Sequence, residues 1–267
     1  MIHYSKNKNR FKGAFSMNKP GKELKRIARQ NLCGHFGIPM GVSLAATLLP
    51  LVLELPFSML QDTHQMLSQT IVFYVANFLI SLVTVILSAG VIRVHLSMAR
   101  KQPYSFNMLF YGFSNHPDRY ILTGLLMVLI TIPTVIPMIA GMFLMFFKGF
   151  TLYNIIIFSV LTIISIVLLV IVELQYALSL YLVIDHPQMR PTEALKVSHG
   201  IMKGHRGRLF YLILSFVGLH LLSALTLWVG YLWVAPYQAQ TMANFYLDVI
   251  GETTICSEPY AKTDVSV

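Results

Sequence analysis

The sequence predicts an all-α, polytopic membrane bundle of six transmembrane helices, with five as the alternative, and short amphipathic interfacial helices on the cytoplasmic side. Three observations predict it. Of the 267 residues, 55% are hydrophobic and only 12% charged, about half the charged share of a soluble domain. Mean hydropathy is +0.64. The apolar residues fall into runs long enough to cross a bilayer, and the basic residues gather in the connections between those runs. This pattern excludes a water-soluble enzyme, a disordered chain and a disulfide scaffold.

The order along the chain is as follows. Residues 1–20 form a basic N-terminus expected to be disordered, 21–250 a single six-span membrane domain, and 251–267 a polar, disordered tail. The first 30 residues hold no apolar signal-peptide core, so no cleavable signal is expected, and Met17 is an alternative start. In residues 21–32, Leu24, Ile27, Ala28 and Leu32 share one helical face and Lys22, Lys25, Arg26 and Arg29 lie elsewhere. That pattern predicts an amphipathic helix lying on the inner leaflet.

The first span is expected at 36–60, broken up by Pro39, Pro50 and Pro56. A polar loop without basic residues, 61–69, leads to a second span at 70–94. The third, 120–147, contains Pro133 and Pro137 and is expected to kink there. The fourth stays apolar from 150 to 184. As one helix it is roughly 50 Å long against a hydrocarbon core of about 30 Å, so it must tilt strongly or project. Residues 209–237 are either one long helix or the first part of a hairpin that turns at Gly230, between Trp228 and Trp233. The returning stretch, 231–250, is less apolar because it carries Gln238, Gln240 and Asn244.

Orientation follows from the positive charges. Of 20 Lys and Arg residues, nine precede the first span, four lie in 93–119 and five in 185–208, so eighteen share one side. Only Lys148 faces the other side, and Lys262 sits in the tail. The N-terminus is therefore expected in the cytoplasm, as is the C-terminus if there are six spans. The expected setting is the bacterial cytoplasmic membrane, with the bilayer and anionic headgroups at the cytoplasmic face as partners and no nucleic acid.

Ionisable and polar residues inside spans are the default functional candidates. Four stand out: Glu54, Asn77, Glu173 and His220. Each also has a structural reading. Glu54 lies about two turns from the outer end of its span. Glu173 lies near the cytoplasmic boundary. Asn77 can join helices, and His220 can bond a nearby Ser or Thr. No HExxH, GxSxG or P-loop pattern occurs, nor carboxylates paired at helical spacing, so no catalytic, cofactor or metal residue is assigned. Cys33 and Cys256 lie at opposite ends of the chain in no ligand-like spacing. Three functions remain: a non-enzymatic lipid- or partner-binding envelope protein, a small-solute transporter or channel, and, last, a lipid-modifying enzyme.

The segment YLVIDHPQMRPTEALKVSHGIMKGHRGRLF, with the LSFVGLHLL, LTLWVGYLWVAPY and ANFYLDV stretches after it, resembles the bacterial membrane proteins of domain-of-unknown-function family 975. GVIRVHLSMARKQ, FYGF and LKRIARQNLCGHF fit as well, so the likeness covers most of 22–248. The chain departs at His220, where the family pattern implies Trp, and at Trp228, where it implies Gly. The family is typical of Gram-positive bacteria and has no established activity, so the resemblance implies a fold and a membrane location, not a reaction.

One architectural expectation comes from comparing the three basic connections. KELKRIARQNL, SFNMLFYGF and TEALKVSHGIM each resemble a short amphipathic helix before an outward span. In the second, Phe106, Leu109, Phe110 and Phe113 have i, i+3, i+4, i+7 spacing. This predicts three parallel repeats of one interfacial helix and one membrane hairpin.

Overall fold

The computed structural model describes residues 18–61 and 67–252. The expectations for residues 1–17, for most of the 61–69 loop and for the tail from 253 lie outside the described residues. All regular structure described is helical: α1 (Gly21–Leu32), α2 (Gly37–Gln61), α3 (Leu67–Ala99), a short helical segment from Phe106 to Ser114, α4 (Pro117–Lys148), α5 (Leu152–Tyr176), α6 (Ser179–Asp185), α7 (Pro191–Ile201), α8 (Arg206–Leu214), α9 (Val217–Leu225) and α10 (Tyr231–Val249). Five stretches are long and apolar enough to cross a membrane: Gly37–Ser58, Thr70–Ala99, Pro117–Lys148, Leu152–Asp185 and Arg206–Leu225.

The sixth segment returns. Contacts climb the last hairpin from base to tip in antiparallel register. Arg208 meets Asp248 at 2.6 Å, His220 meets Gln238 at 2.8 Å, and Gly230 packs against Ser223. At 1.5 Å per residue α10 is about 28 Å long, close to the hydrocarbon thickness. It falls short of the other five in apolarity because protein, not lipid, surrounds it. Gln240, Thr241, Asn244 and Asp248 are all buried. The turn is Thr226–Gly230, and its left-handed residues are Leu227 (φ 51°) and Trp228 (φ 66°), not Gly230.

Several expectations need correction. Pro50 and Pro56 do not break the first span, for α2 runs unbroken through both, and Pro39 sits in its first turn, where a missing N–H costs nothing. In α4, which also runs unbroken, Pro137 does leave its mark. The Met138 N–H, just after it, bonds across to Ser165 Oγ of α5 at 2.9 Å. The fourth span is not one helix. It jogs at Ala177–Leu178, and α6 beyond the jog neither projects nor meets lipid, since Ser179, Tyr181, Leu182, Val183 and Ile184 are buried in protein.

The apolar face of α1 likewise meets protein rather than the leaflet. Leu24, Ile27, Ala28 and Leu32 are each at most 2% exposed, packed mainly against α10. Lys25 Nζ donates to the Ser215 carbonyl at 3.1 Å and lies over the Phe216 ring. The expected amphipathic helix at 106–114 forms only as a 3-10 turn followed by one α turn. Leu109 is buried, while Phe106, Phe110 and Phe113 stay exposed. The segment packs by its backbone. A Cβ on Gly90 would lie 2.0 Å from the Leu109 carbonyl oxygen, and one on Gly112 would lie 2.7 Å from that of Ile86.

The order of interfacial segment then hairpin recurs three times, as the spacing of the basic connections predicts. The packing is cyclic. The 106–114 segment lies on the hairpin of α2 and α3, α7 lies on that of α4, α5 and α6, and α1 closes the ring on that of α8, α9 and α10. The returning arms α3, α6 and α10 carry most of the buried core, which is concentrated at the end bearing the basic connections.

Candidate functional site

The three returning arms end together, and their ends supply the charges of the site. Arg100 follows α3, Asp185 ends α6 and Glu252 follows α10. The Arg100 guanidinium donates to both Asp185 oxygens, at 2.6 and 2.8 Å. It also donates to both Glu252 oxygens, at 2.7 and 2.6 Å. The Tyr246 hydroxyl donates to Asp185 Oδ2 at 3.0 Å. One planar fork thus joins all three hairpins, a task that suits guanidinium better than ammonium. Asp185, and then Glu252, push the Arg100 pKa upward, so the charge is permanent.

A second charged knot ties the chain ends to the last hairpin. Arg208 Nη2 donates to Asp248 Oδ2 and to the Lys19 carbonyl, each at 2.6 Å, and Nη1 donates to Asn18 Oδ1 at 3.0 Å. The Asp248 side chain is 2% exposed, so Arg208 is what makes its burial tolerable. His205 Nδ1 sits 3.2 Å from Arg208. Burial, and then the Arg208 charge, hold the His205 pKa below its usual value, and Asp248 offsets this only in part.

Between these knots and the middle of the bundle lies a buried polar pair. His95 of α3 and Gln240 of α10 meet at 2.8 Å, both fully buried. Asn244, one turn on, donates to the Leu24 carbonyl of α1 at 3.3 Å. His95 Nε2, Gln240 Nε2 and Asn244 Oδ1 are buried without a hydrogen-bond partner among the described residues.

The four residues singled out from sequence are not brought into one site. Glu54 is half-buried on α2, and Glu173 is exposed near the end of α5. Asn77 donates to the Phe73 carbonyl of its own helix at 3.0 Å, so it does not join helices. His220 bonds Gln238 across the last hairpin rather than a Ser or Thr. Sequence reasoning missed His95, Arg100, Asp185, Tyr246 and Asp248 as a group. One signal for them was available: RVHLSMAR places four polar or charged residues in the last two turns of an apolar helix and the residue after it.

The model of the family described as "Protein of unknown function (DUF975)" matches residues 17–253, which takes in all of the described residues. No curated protein and no solved structure matches.

Proposed function

The chain belongs to the DUF975 family, and from that premise we propose that it is a non-enzymatic, multi-pass protein of the bacterial cytoplasmic membrane that binds anionic lipid headgroups, or a partner, through a cytoplasmic basic face. One observation carries the reading: among the described residues, all lysines and arginines but Lys148 lie before the first span or in the two connections at the same end of the bundle. That end is also where protein packing, rather than lipid, covers the apolar residues. A rigid, positively charged platform at the membrane surface suits anionic headgroups and follows the positive-inside pattern. The test has two arms. A cysteine in the 61–69 loop is expected to label from outside intact cells and one at the exposed Lys196 is not; the reverse overturns the orientation. The purified protein is expected to retain phosphatidylglycerol over phosphatidylcholine, and equal retention overturns the lipid reading.

A transporter is the second reading. The observation that favours it is the buried His95, Gln240 and Asn244 cluster between returning arms at the basic end, since polar atoms left unpartnered between helices offer contacts to a passing solute.

A further inference from the structure

We infer that the surface where α3, the 106–114 segment and the start of α4 meet is a seat for one anionic phospholipid, its phosphate held by Arg93 and Arg119. This deepens the lipid reading above and rests on it. Two features separate these arginines from the other basic residues of this end. The first is lack of compensation. Arg100 and Arg208 are bound by carboxylates. Among the described residues, Arg93 has the Tyr111 ring, 5.2 Å from its guanidinium carbon, and no ion pair, and Arg119 Nη1 is buried with no hydrogen-bond partner. Both cations lie within electrostatic reach of the buried Tyr120, as does Tyr111. Asp118, beside Arg119 in sequence, is exposed and forms no ion pair among the described residues. Two guanidiniums near one ring, neither held in an ion pair among the described residues, suit an oxyanion.

The second feature is depth. From Thr70, where the apolar stretch of α3 begins, to Arg93 is roughly 35 Å of helix, one hydrocarbon thickness plus the start of the headgroup layer. Phosphates of the basic-side leaflet lie at that level. On the same segment, Phe110 and Phe113 expose 46% and 43% of their surface, with ring centroids 6.3 Å apart. An inorganic phosphate has no use for those rings, whereas a phospholipid lays its chains along them. The seat exists because Gly90 lets the Leu109 backbone lie directly on α3, which brings Tyr111 over to Arg93.

The experiment is native mass spectrometry of the full chain from micelles holding equal phosphatidylglycerol and phosphatidylcholine. The unaltered protein is expected to keep phosphatidylglycerol. The double variant Arg93→Gln, Arg119→Gln is expected to lose that retention about tenfold, as two charge-assisted contacts disappear. The control Lys196→Gln, Lys203→Gln is expected to keep it. Undiminished retention in the Arg93, Arg119 variant overturns the seat while leaving the broader reading intact; no preference in the unaltered protein overturns both. Displacement of the lipid by excess glycerol phosphate shows that the headgroup alone is read, and also overturns the seat. Should the double variant fold poorly, a photoreactive benzoylphenylalanine at Phe113 in the otherwise unchanged chain decides. Preferential phosphatidylglycerol adducts support the seat, and equal adducts of both lipids overturn it.

Discussion

The two ends of this bundle are held by different forces. At the basic end, Leu96, Leu182 and Phe245 are fully buried by other side chains, and the charges of Arg100 and Arg208 are matched by carboxylates from distant parts of the chain. At the hairpin tips, Phe146, Leu225 and Leu227 are more than 80% exposed. Apolar surface of that kind is at home only in lipid or detergent. The basic end is therefore organised like the core of a soluble protein, and the tips depend on their solvent. A substitution at the basic end is expected to cost stability in any detergent, and one at the tips to depend on the amphiphile used.

The largest expected effect is at Gly90. Gly90→Ala puts a methyl group 2.0 Å from the Leu109 carbonyl oxygen, and neither helix backbone yields easily. A loss of about 3 kcal/mol or more is expected, read as a lower melting temperature in at least two detergents. A loss that vanishes in one detergent would break the comparison, because it would make lipid contact, not packing, the basis of that site. Asp185→Asn follows, with a loss of about 3 kcal/mol, since Arg100 keeps only the half-exposed Glu252. The double variant Arg100→Met, Asp185→Leu is expected to recover much of it, because an apolar pair leaves no orphaned charge.

The same division explains what was legible in the sequence. Spans were legible wherever helices face lipid, because hydropathy measures lipid exposure: α2, α3, α4, α5 and the α8–α9 stretch stand out by their apolar residues alone. Hydropathy was least informative for α10. Its Gln238, Gln240 and Asn244 mark a helix sheltered by its neighbours, whereas a window average reads only a weaker span. The face of α1 was legible as an apolar stripe, but a stripe does not say whether it meets lipid or another helix. The ion-pair knots were not legible at all. Arg100 and Asp185 are 85 residues apart in sequence, and only ring closure of the three hairpins brings them together. The four span residues chosen as candidates do not come together, for the converse reason. A polar residue in a span has to find some partner, and Asn77 and His220 find theirs within their own helix or hairpin.

At the tips, a smaller and opposite effect sharpens the comparison. Trp228 holds φ 66°, a left-handed conformation costly for a bulky residue, at the position where the family resemblance implies Gly. Trp228→Gly is expected to stabilise the detergent-solubilised protein by about 1 kcal/mol. In a bilayer the gain is expected to shrink, because an exposed indole near the interface contributes anchoring that Gly lacks. Equal gains in detergent and bilayer would show that the tip does not use its lipid contact.

The smallest effect belongs to the basic end and tests whether its charges act as one unit with its packing. His205 lies beside Arg208, and burial keeps its folded pKa below the ordinary value of about 6.5. As pH falls, the unfolded chain therefore takes up a proton at His205 before the folded protein does. Stability from this group is complete above about pH 6.5 and is lost as pH falls from there through the lowered folded value. The melting temperature is thus expected to decline modestly between pH 7 and pH 5, and His205→Gln is expected to flatten that slope. Of the two charges facing the ring, Arg208 opposes the added proton and Asp248 favours it. Asp248→Asn is therefore expected to steepen the slope in the same pH window, provided the variant keeps its fold. A slope that His205→Gln leaves unchanged would place the pH response elsewhere and would uncouple this histidine from the Arg208 knot.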